Sequence, residues 1–196
     1  AKIVQIDKVT EAVPYADAKG LISRRQNARP VQLLGLSAEA IPAGLAAVLK
    51  KHDLAIPSQG RILLSEVIAD GLNAVTIQRI SIIFPAENNR STVVHSFVVE
   101  GIFATHTELD QSLVIASLQQ VAEIAGIPNR AQGFRLQVSD QFNARNIGFE
   151  IINQLPFGYG FRDWFQTHGN LYQAIQLSRN MVVLLIFLIV AIAAFN

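Results

Sequence analysis

Few residues in this sequence have the types and spacing that chemistry requires. His106, Glu108 and Asp110 alternate in the segment HTELD, as an imidazole and two carboxylates on one strand face would, and such a set can hold a divalent cation. The set lacks a further ligand, and it follows the triplet GIF as polar residues follow a strand end. A polar loop is therefore the favoured interpretation, and we predict no metal site.

A second candidate for chemistry is the adjacent pair His52 and Asp53, which could act as an acid and a base. Adjacent residues at a helix end do not face each other, so we interpret both as solvent-exposed polar residues. The sequence also lacks a phosphate-binding loop, a nucleophile elbow, an HExxH motif and a glycine-rich dinucleotide turn. We predict that the chain is not an enzyme and holds no cofactor of its own.

The composition excludes several classes of protein. The 196 residues include 16 Lys and Arg against 15 Asp and Glu, so no broad basic surface is available and nucleic acid is not expected as a partner. The absence of cysteine excludes a disulfide scaffold and thiolate metal sites. The apolar fraction of 51% and the mean hydropathy of +0.32 are high, and the excess lies at the end of the chain.

That end, residues 181–195, contains no polar side chain. A helix that is apolar on all sides must be buried in protein or in lipid. A membrane span needs about 20 apolar residues, whereas this run supplies about 22 Å of helix. We therefore expect a fragment that ends inside a membrane span. Because the first residue is Ala1 and no signal-peptide pattern follows it, we also expect that the fragment begins after another feature.

Short β-like runs and turn residues alternate with helical segments along the chain, which predicts an α+β fold. The predicted strands are residues 9–15, 21–25, 30–36, 61–64, 77–84, 91–103, 112–116 and 134–138, with turns at 17–20 and 26–29. The predicted helices are residues 43–51, a short helix with Ser65 as N-cap that Gly71 ends, residues 117–126, and residues 141–154 with Asp140 as N-cap.

The longest predicted elements are a hairpin and a final helix. Residues 77–84 and 91–103 form the arms of the hairpin, and its polar tip, residues 85–90, is the segment expected to be most exposed. With Asp163 as N-cap, a helix can run from Trp164 to residue 195 over roughly 48 Å without a proline. A continuous helix transmits force or position, which a flexible linker does not.

At its end the sequence resembles the entry to the second membrane helix of the LolC/LolE lipoprotein-releasing permeases. The matching pieces are Asp163-Trp164, residues 169–175, Arg179-Asn180-Met181 and the terminal AAFN. Earlier pieces follow in the family's order: AVPY, LLGL, ILLSEVIADGL, IIFP, VEGIF, ELDQSLVIAS and LQVSDQFNA. The resemblance therefore covers nearly the whole chain.

The resemblance implies the permease subunit of an ABC transporter in the bacterial inner membrane. The implied fold is a MacB-like α+β periplasmic domain with mixed sheets and short helices, followed by a stalk helix and a transmembrane helix. The predicted division is 1–162 for the domain, 163–180 for the stalk and 181–196 for the truncated span. The implied function is extraction of lipoproteins from the inner membrane for transfer to the outer membrane.

Several partners are implied in the same way. They are a LolD-like cytoplasmic ATPase subunit that binds ATP and magnesium, a second LolC/LolE-like permease subunit in a homodimer or heterodimer, a LolA-like periplasmic carrier, the lipoprotein substrate and the membrane itself.

The resemblance further implies a protruding hook, residues 85–97, that binds the carrier. Its candidate residues are Pro85, Asn88, Asn89, Arg90, His95 and Phe97. The loop is shorter than in the family and lacks its second proline and methionine. The family's basic pad falls on Ser81, Val94 and His95, of which only His95 can be basic. The subunit is therefore either C-like, with a docking hook, or E-like, gating lipoprotein without contacting the carrier.

Met181 and Leu185 are the candidates for lining the lipoprotein path. Two alternative functions also stay open. One is a MacB- or FtsX-like permease that exports another cargo or transmits a signal, and the other is a tail-anchored periplasmic binding or hydrolytic domain.

Overall fold

The computed structural model of the protein describes residues 8–24, 26–85, 92–140, 142–156 and 158–195. The chain divides into two compact units, one formed by Glu11–Gln137 and the other by Ala1–Thr10 together with Val138–Asn196. The division predicted from the sequence, after residues 162 and 180, is a different one and stays a prediction.

The described part of the chain contains seven strands and five α-helices. The strands are β1 Val9–Arg24, β2 Asn27–Leu36, β3 Arg61–Ser65, β4 Arg79–Pro85, β5 Thr92–Phe103, β6 Leu113–Ser117 and β7 Gly133–Val138. The helices are α1 Ala43–Lys51, α2 Glu66–Leu72, α3 Leu118–Ile124, α4 Ala144–Ile152 and α5 Trp164–Phe195, and a 3₁₀ turn covers Glu108–Gln111. The predicted combination of a mixed sheet with short helices is confirmed.

The seven strands form one mixed sheet in the order β2-β6-β3-β5-β4-β1-β7. β1 also pairs with β2, so the first six strands of this order close into a circuit. Two of the pairings in it, β2 with β6 and β3 with β5, are parallel, and the pairs β1–β2, β1–β4, β3–β6 and β4–β5 are antiparallel. Strands from distant parts of the sequence therefore become neighbours.

Both faces of the central strands β2, β3 and β6 are buried. Successive residues alternate between two hydrophobic clusters, as Leu33 and Leu34 show in β2. One cluster includes Ile68 of α2 and Val121 of α3, and the other includes Leu49 of α1. Helices thus cover both faces, which explains why these strands are nearly continuous apolar runs.

The turn predicted at residues 17–20 does not exist, because β1 runs straight through it. Lys19 pairs with Gln32, and Gly20 pairs with Val31, in a ladder that extends to the end of the strand. A Cβ at Gly20 would lie 2.8 Å from the main-chain oxygen of Ile83. The glycine therefore allows close packing of the strand rather than a turn.

Every predicted helix is present, but some ends differ: α2 continues through Gly71 to Leu72, where Asn73 has the left-handed φ of 49°, and α4 ends at Ile152 instead of Gln154. α1 has the predicted bounds, and α2 begins directly after Ser65. α4 begins at Ala144, three residues later than predicted, because Asp140 accepts a hydrogen bond from the main-chain N–H of Phe142 in a turn that precedes the helix. The predicted cap at Asp163 is confirmed, since its Oδ1 accepts a hydrogen bond from the N–H of Gln166 at 2.9 Å.

α5 is a single helix of 32 residues. Every side chain from Met181 to Val190 in it is more than half exposed. Within the described residues, no helix has the length and apolar character that crossing a membrane requires. The predicted stalk and membrane span are therefore not confirmed.

Candidate docking site on the β4–β5 hairpin

The predicted hairpin is present. β4 and β5 pair antiparallel from Arg79 opposite Val98 to Pro85 opposite Thr92. On its other side β4 pairs with β1, which fixes the base of the hairpin in the sheet. Three predicted hook residues, Asn88, Asn89 and Arg90, lie outside the described residues.

The other hook candidates differ in their exposure. Pro85 is exposed at the end of β4, whereas Phe97 is 1% exposed and belongs to the hydrophobic core. Phe97 cannot contact a partner unless the core opens, so its contribution to a hook is to hold the strand in place. His95 lies between these extremes and is partly buried.

His95 faces the interior side of the sheet. It pairs with Ile82, which in turn lies level with Ile22, and both isoleucines are fully buried. Its ring lies 5.8 Å from the ring of Phe84 in an edge-on arrangement and 6.3 Å from that of Phe97. The histidine is therefore part of an aromatic cluster on the inner face of the sheet, opposite the face that carries Ser81 and Val94.

The outer face next to the hairpin carries an apolar row that the sequence analysis missed. Leu21 pairs with both Pro30 and Ile83, and Ile83 pairs with Val94, so these four residues lie side by side across four strands. Leu21 is 40% exposed and Val94 is 58% exposed. We call these four residues the apolar row.

A row of small side chains lies beside the apolar row. Ser23 pairs with Ala28 and Ser81, and Ser81 pairs with Ser96. Of the predicted pad positions, Ser81 and Val94 therefore share the outer face, and His95 lies on the opposite one. These two rows are uncharged, which suits contact with an apolar surface. Arg79, two residues before Ser81 on the same face of β4, and Lys19, two residues before Leu21 in β1, are exposed charged residues beside them. Only the alternation within residues 21–23 and 81–83 could have indicated the two rows.

The segment HTELD forms a hydrogen-bonded loop around Asp110. Asp110 is 5% exposed, and its carboxylate accepts a hydrogen bond of 2.7 Å from Oγ1 of Thr105. The same carboxylate accepts hydrogen bonds from the main-chain N–H groups of Thr105 and His106 at 2.8–3.0 Å. Burial raises the pKa of Asp110, but the hydrogen bonds from Thr105, His106 and Thr107 outweigh it and lower the pKa below 3.8. The main-chain oxygen of Asp110 also accepts a hydrogen bond of 2.6 Å from the hydroxyl of Ser65.

These contacts agree with a structural loop. Asp110 is occupied by donors from its own loop, and His52, the other sequence candidate, accepts a hydrogen bond at Nε2 from the N–H of Ala104. The described residues contain no group of three His, Asp or Glu side chains that could hold a metal ion.

Met181 and Leu185, the predicted lipoprotein-path residues, are 59% and 57% exposed. They are four residues apart in α5, so they lie on one face of the helix. What they contact stays a prediction.

Comparison with known proteins gives relatives over almost the whole chain. No protein-family profile matches it. The lipoprotein-releasing system transmembrane protein LolC of Neisseria meningitidis serogroup B is 26% identical over 96% of this chain and 48% of its own length. LolC of Xylella fastidiosa strain Temecula1 is 25% identical over the same shares. LolE of Haemophilus influenzae is 28% identical over 50% of this chain and 24% of its own length.

The extracellular domain of the noncanonical ABC-type transporter YknZ from Gram-positive bacteria aligns with a TM-score of 0.45 and 14% identity, over 75% of this chain and 74% of that domain. The chain spans about half the length of the LolC proteins that it matches. The resemblance indicated by the residues is confirmed by these relatives: the chain is similar along almost its whole length to LolC, and along half of it to LolE, the transmembrane proteins of lipoprotein-releasing systems.

Proposed function

We propose that this chain is part of the permease subunit of an ABC transporter that extracts lipoproteins from the bacterial inner membrane. In this proposal it supplies the periplasmic domain and the start of the second membrane helix. The observation that carries the proposal is the likeness to LolC along 96% of the chain. The subunit itself is non-catalytic, and a LolD-like partner binds ATP and magnesium in the cytoplasm.

The form of α5 supports this proposal. The helix starts at a capped residue inside a folded unit and continues without a break into side chains that are apolar on every side. Burying one large apolar side chain contributes about 1.5–3 kcal/mol, so the exposed run from Met181 to Val190 strongly favours insertion into lipid or against other membrane helices. A second LolC/LolE-like subunit would supply such helices.

The hairpin is the proposed docking site for a LolA-like carrier. Pro85 and the tip residues Asn88, Asn89 and Arg90 would reach the carrier first, and the apolar row would then contact its surface. Phe97 and His95 would hold the strands in place from the inner face. This arrangement corresponds to a C-like subunit.

A depletion experiment tests the transport function. The full-length protein is depleted in its source organism, and an outer-membrane lipoprotein is followed by fractionation of the two membranes. We expect the lipoprotein to accumulate in the inner membrane and to return to the outer membrane when the intact protein is supplied. Normal localisation throughout depletion would instead support a permease for another cargo or a tail-anchored domain.

An insertion experiment tests the continuous helix. A flexible Gly/Ser segment inserted after Arg179 should abolish rescue, because it separates the helix in the folded unit from the apolar run. Seven alanines at the same position are the matched control, since they add about two helical turns and nearly restore the original facing. Equal rescue by both insertions would contradict a role for a rigid helix.

A cross-linking experiment tests the docking site. A photo-reactive residue at Asn89 of the full-length protein, in its native membrane, should capture the soluble carrier, and the same residue at the exposed position Glu39 should not. Capture at Asn89 alone would identify a C-like subunit. No capture in an assembled and active complex would favour an E-like subunit, and Met181 and Leu185 would be the next positions to label.

A further inference from the structure

The start of α5 is joined to α4 through Asp163. The carboxylate of Asp163 is almost completely buried, and its two oxygens have different partners. Oδ1 caps α5 by accepting a hydrogen bond from the N–H of Gln166 at 2.9 Å. Oδ2 lies 3.5 Å from Nε of Arg145, a residue in the first turn of α4.

An aromatic contact joins the same two regions. The ring of Phe161, two residues before the cap, packs edge-on against the ring of Phe149 in α4, with centroids 5.0 Å apart. Gly148 leaves the space for this ring, because a Cβ there would lie 2.4 Å from Cε2 of Phe161. The segment that leads into α5 therefore rests on α4 at two places, one ionic and one aromatic.

We propose that Arg145 is a positioning residue that makes α4 and the first turn of α5 move as one body. The inference rests on the proposed function, in which α5 transmits movement between the membrane and the periplasmic domain. A buried carboxylate becomes more costly to keep in place when a neighbouring cation is removed, so loss of Arg145 would let the start of α5 shift away from α4. The helix could then move without carrying α4 with it.

The ion pair of Arg145 with Asp163 is called the latch. Because the cap and the latch use different oxygens of Asp163, the two roles can be tested separately. Asparagine is as good an N-cap as aspartate, so Asp163→Asn retains an oxygen for the N–H of Gln166 while the charge that pairs with Arg145 is lost. Arg145→Lys retains a cation at the partner position. Arg162, an exposed arginine beside Asp163, provides a matched control of the same residue type.

The test uses the full-length permease, assembled with its ATPase subunit in lipid nanodiscs and loaded with a lipoprotein. The quantity measured is lipoprotein released to a soluble carrier per ATP hydrolysed. Arg145→Ala and Asp163→Asn should each lower this ratio by about fivefold with ATP hydrolysis retained, while Arg145→Lys and Arg162→Ala should leave it close to wild type. Unchanged ratios in both Arg145→Ala and Asp163→Asn would overturn the proposal.

A second measurement separates this inference from the proposed function. The 196 residues contain no cysteine, so after replacement of any cysteine elsewhere in the complex, spin labels can be placed at Asn146→Cys in α4 and Leu177→Cys in α5. The distance between the labels is measured by pulsed electron resonance in the same nanodiscs. We expect a narrow distance distribution in the parent and in Arg145→Lys, and a broad one in Arg145→Ala. Failure of the wild-type complex to release lipoprotein would refute the proposed function alone. Identical distributions in all three proteins would refute the latch, whatever the cargo.

Discussion

Replacing Asp110 by alanine is expected to lower the free energy of unfolding by about 3 kcal/mol. The substitution removes the acceptor for the N–H groups of Thr105 and His106 and for the hydroxyl of Thr105, at a side chain that is only 5% exposed. A hydrogen bond to a charged group contributes about 1.5–3 kcal/mol, and a buried donor left without an acceptor costs about 1–3 kcal/mol. Because water can accept hydrogen bonds from some of these donors at the loop surface, the expected loss of stability corresponds to about one lost hydrogen bond rather than to all three.

The assay is urea unfolding of the chain in a mild detergent, followed by circular dichroism. For a chain of this size, about 3 kcal/mol corresponds to a fall in melting temperature of about 10 °C, which gives a second readout. Glu108→Gln is the matched control, because Glu108 is exposed in the same turn and should change stability by less than about 0.5 kcal/mol. A loss below about 1 kcal/mol for Asp110→Ala, or an equal loss in the control, would refute the reasoning.

The same site predicts a dependence on pH. Since the folded pKa of Asp110 is lowered, its carboxylate stabilises the fold above the pKa of the unfolded chain, and this contribution is lost as the pH falls through the folded value. The stability gap between wild type and Asp110→Asn should therefore be complete at neutral pH and shrink below about pH 4. A gap that stays constant into the acid range would show that the charge contributes nothing.

Three further predictions concern the packing and the backbone. Gly35→Ala should destabilise the fold by about 2 kcal/mol, because the new Cβ would lie 2.6 Å from the Cβ of Val121. Gly44→Ala, with open space around it in α1, should stabilise the fold by up to about 1 kcal/mol. Thermal melts that rank the two variants in the opposite order would contradict this. Ile77 has a φ of 68° and is 85% exposed, so Ile77→Asn should stabilise by about 1 kcal/mol in urea unfolding, and a destabilised variant would argue against strain there. Arg24→Ala removes donors to the main-chain oxygens at the end of α2 and should weaken the amide-exchange protection of that helix by about 1–2 kcal/mol. Arg24→Lys is the milder control. Unchanged protection in Arg24→Ala would show that the contact is dispensable.

The candidate site was only partly predictable. The hairpin follows from two β-branched runs on either side of a polar tip, and the structure pairs them as expected. The apolar row was not predictable as a surface. Leu21 and Pro30 come close to Val94 only because β1 pairs with β2 and with β4, and these pairings lie outside the hairpin. Likewise, nothing local indicates that Arg145 would meet Asp163.

By itself the sequence determined the elements whose signals are local. The bounds of α1, the start of α2 after Ser65 and the cap of α5 at Asp163 depend on side chains within one or two turns of the helix, and all three were predicted. Gly126, the predicted end of the helix after Ser117, adopts the left-handed φ of 72° that such an end requires.

Only the tertiary structure decided the features that depend on distant partners. β1 continues past the residues predicted to turn because hydrogen bonds to β2 outweigh their local preference, and Gly20 is packed against the main chain of Ile83. The hydroxyl of Ser65 donates a hydrogen bond to the main-chain oxygen of Asp110 instead of capping its own helix, and the ring of His95 packs in an aromatic cluster on the inner face of the sheet. In each case the free energy comes from burial and pairing between segments far apart in the chain, and these contacts exist only once the sheet has formed.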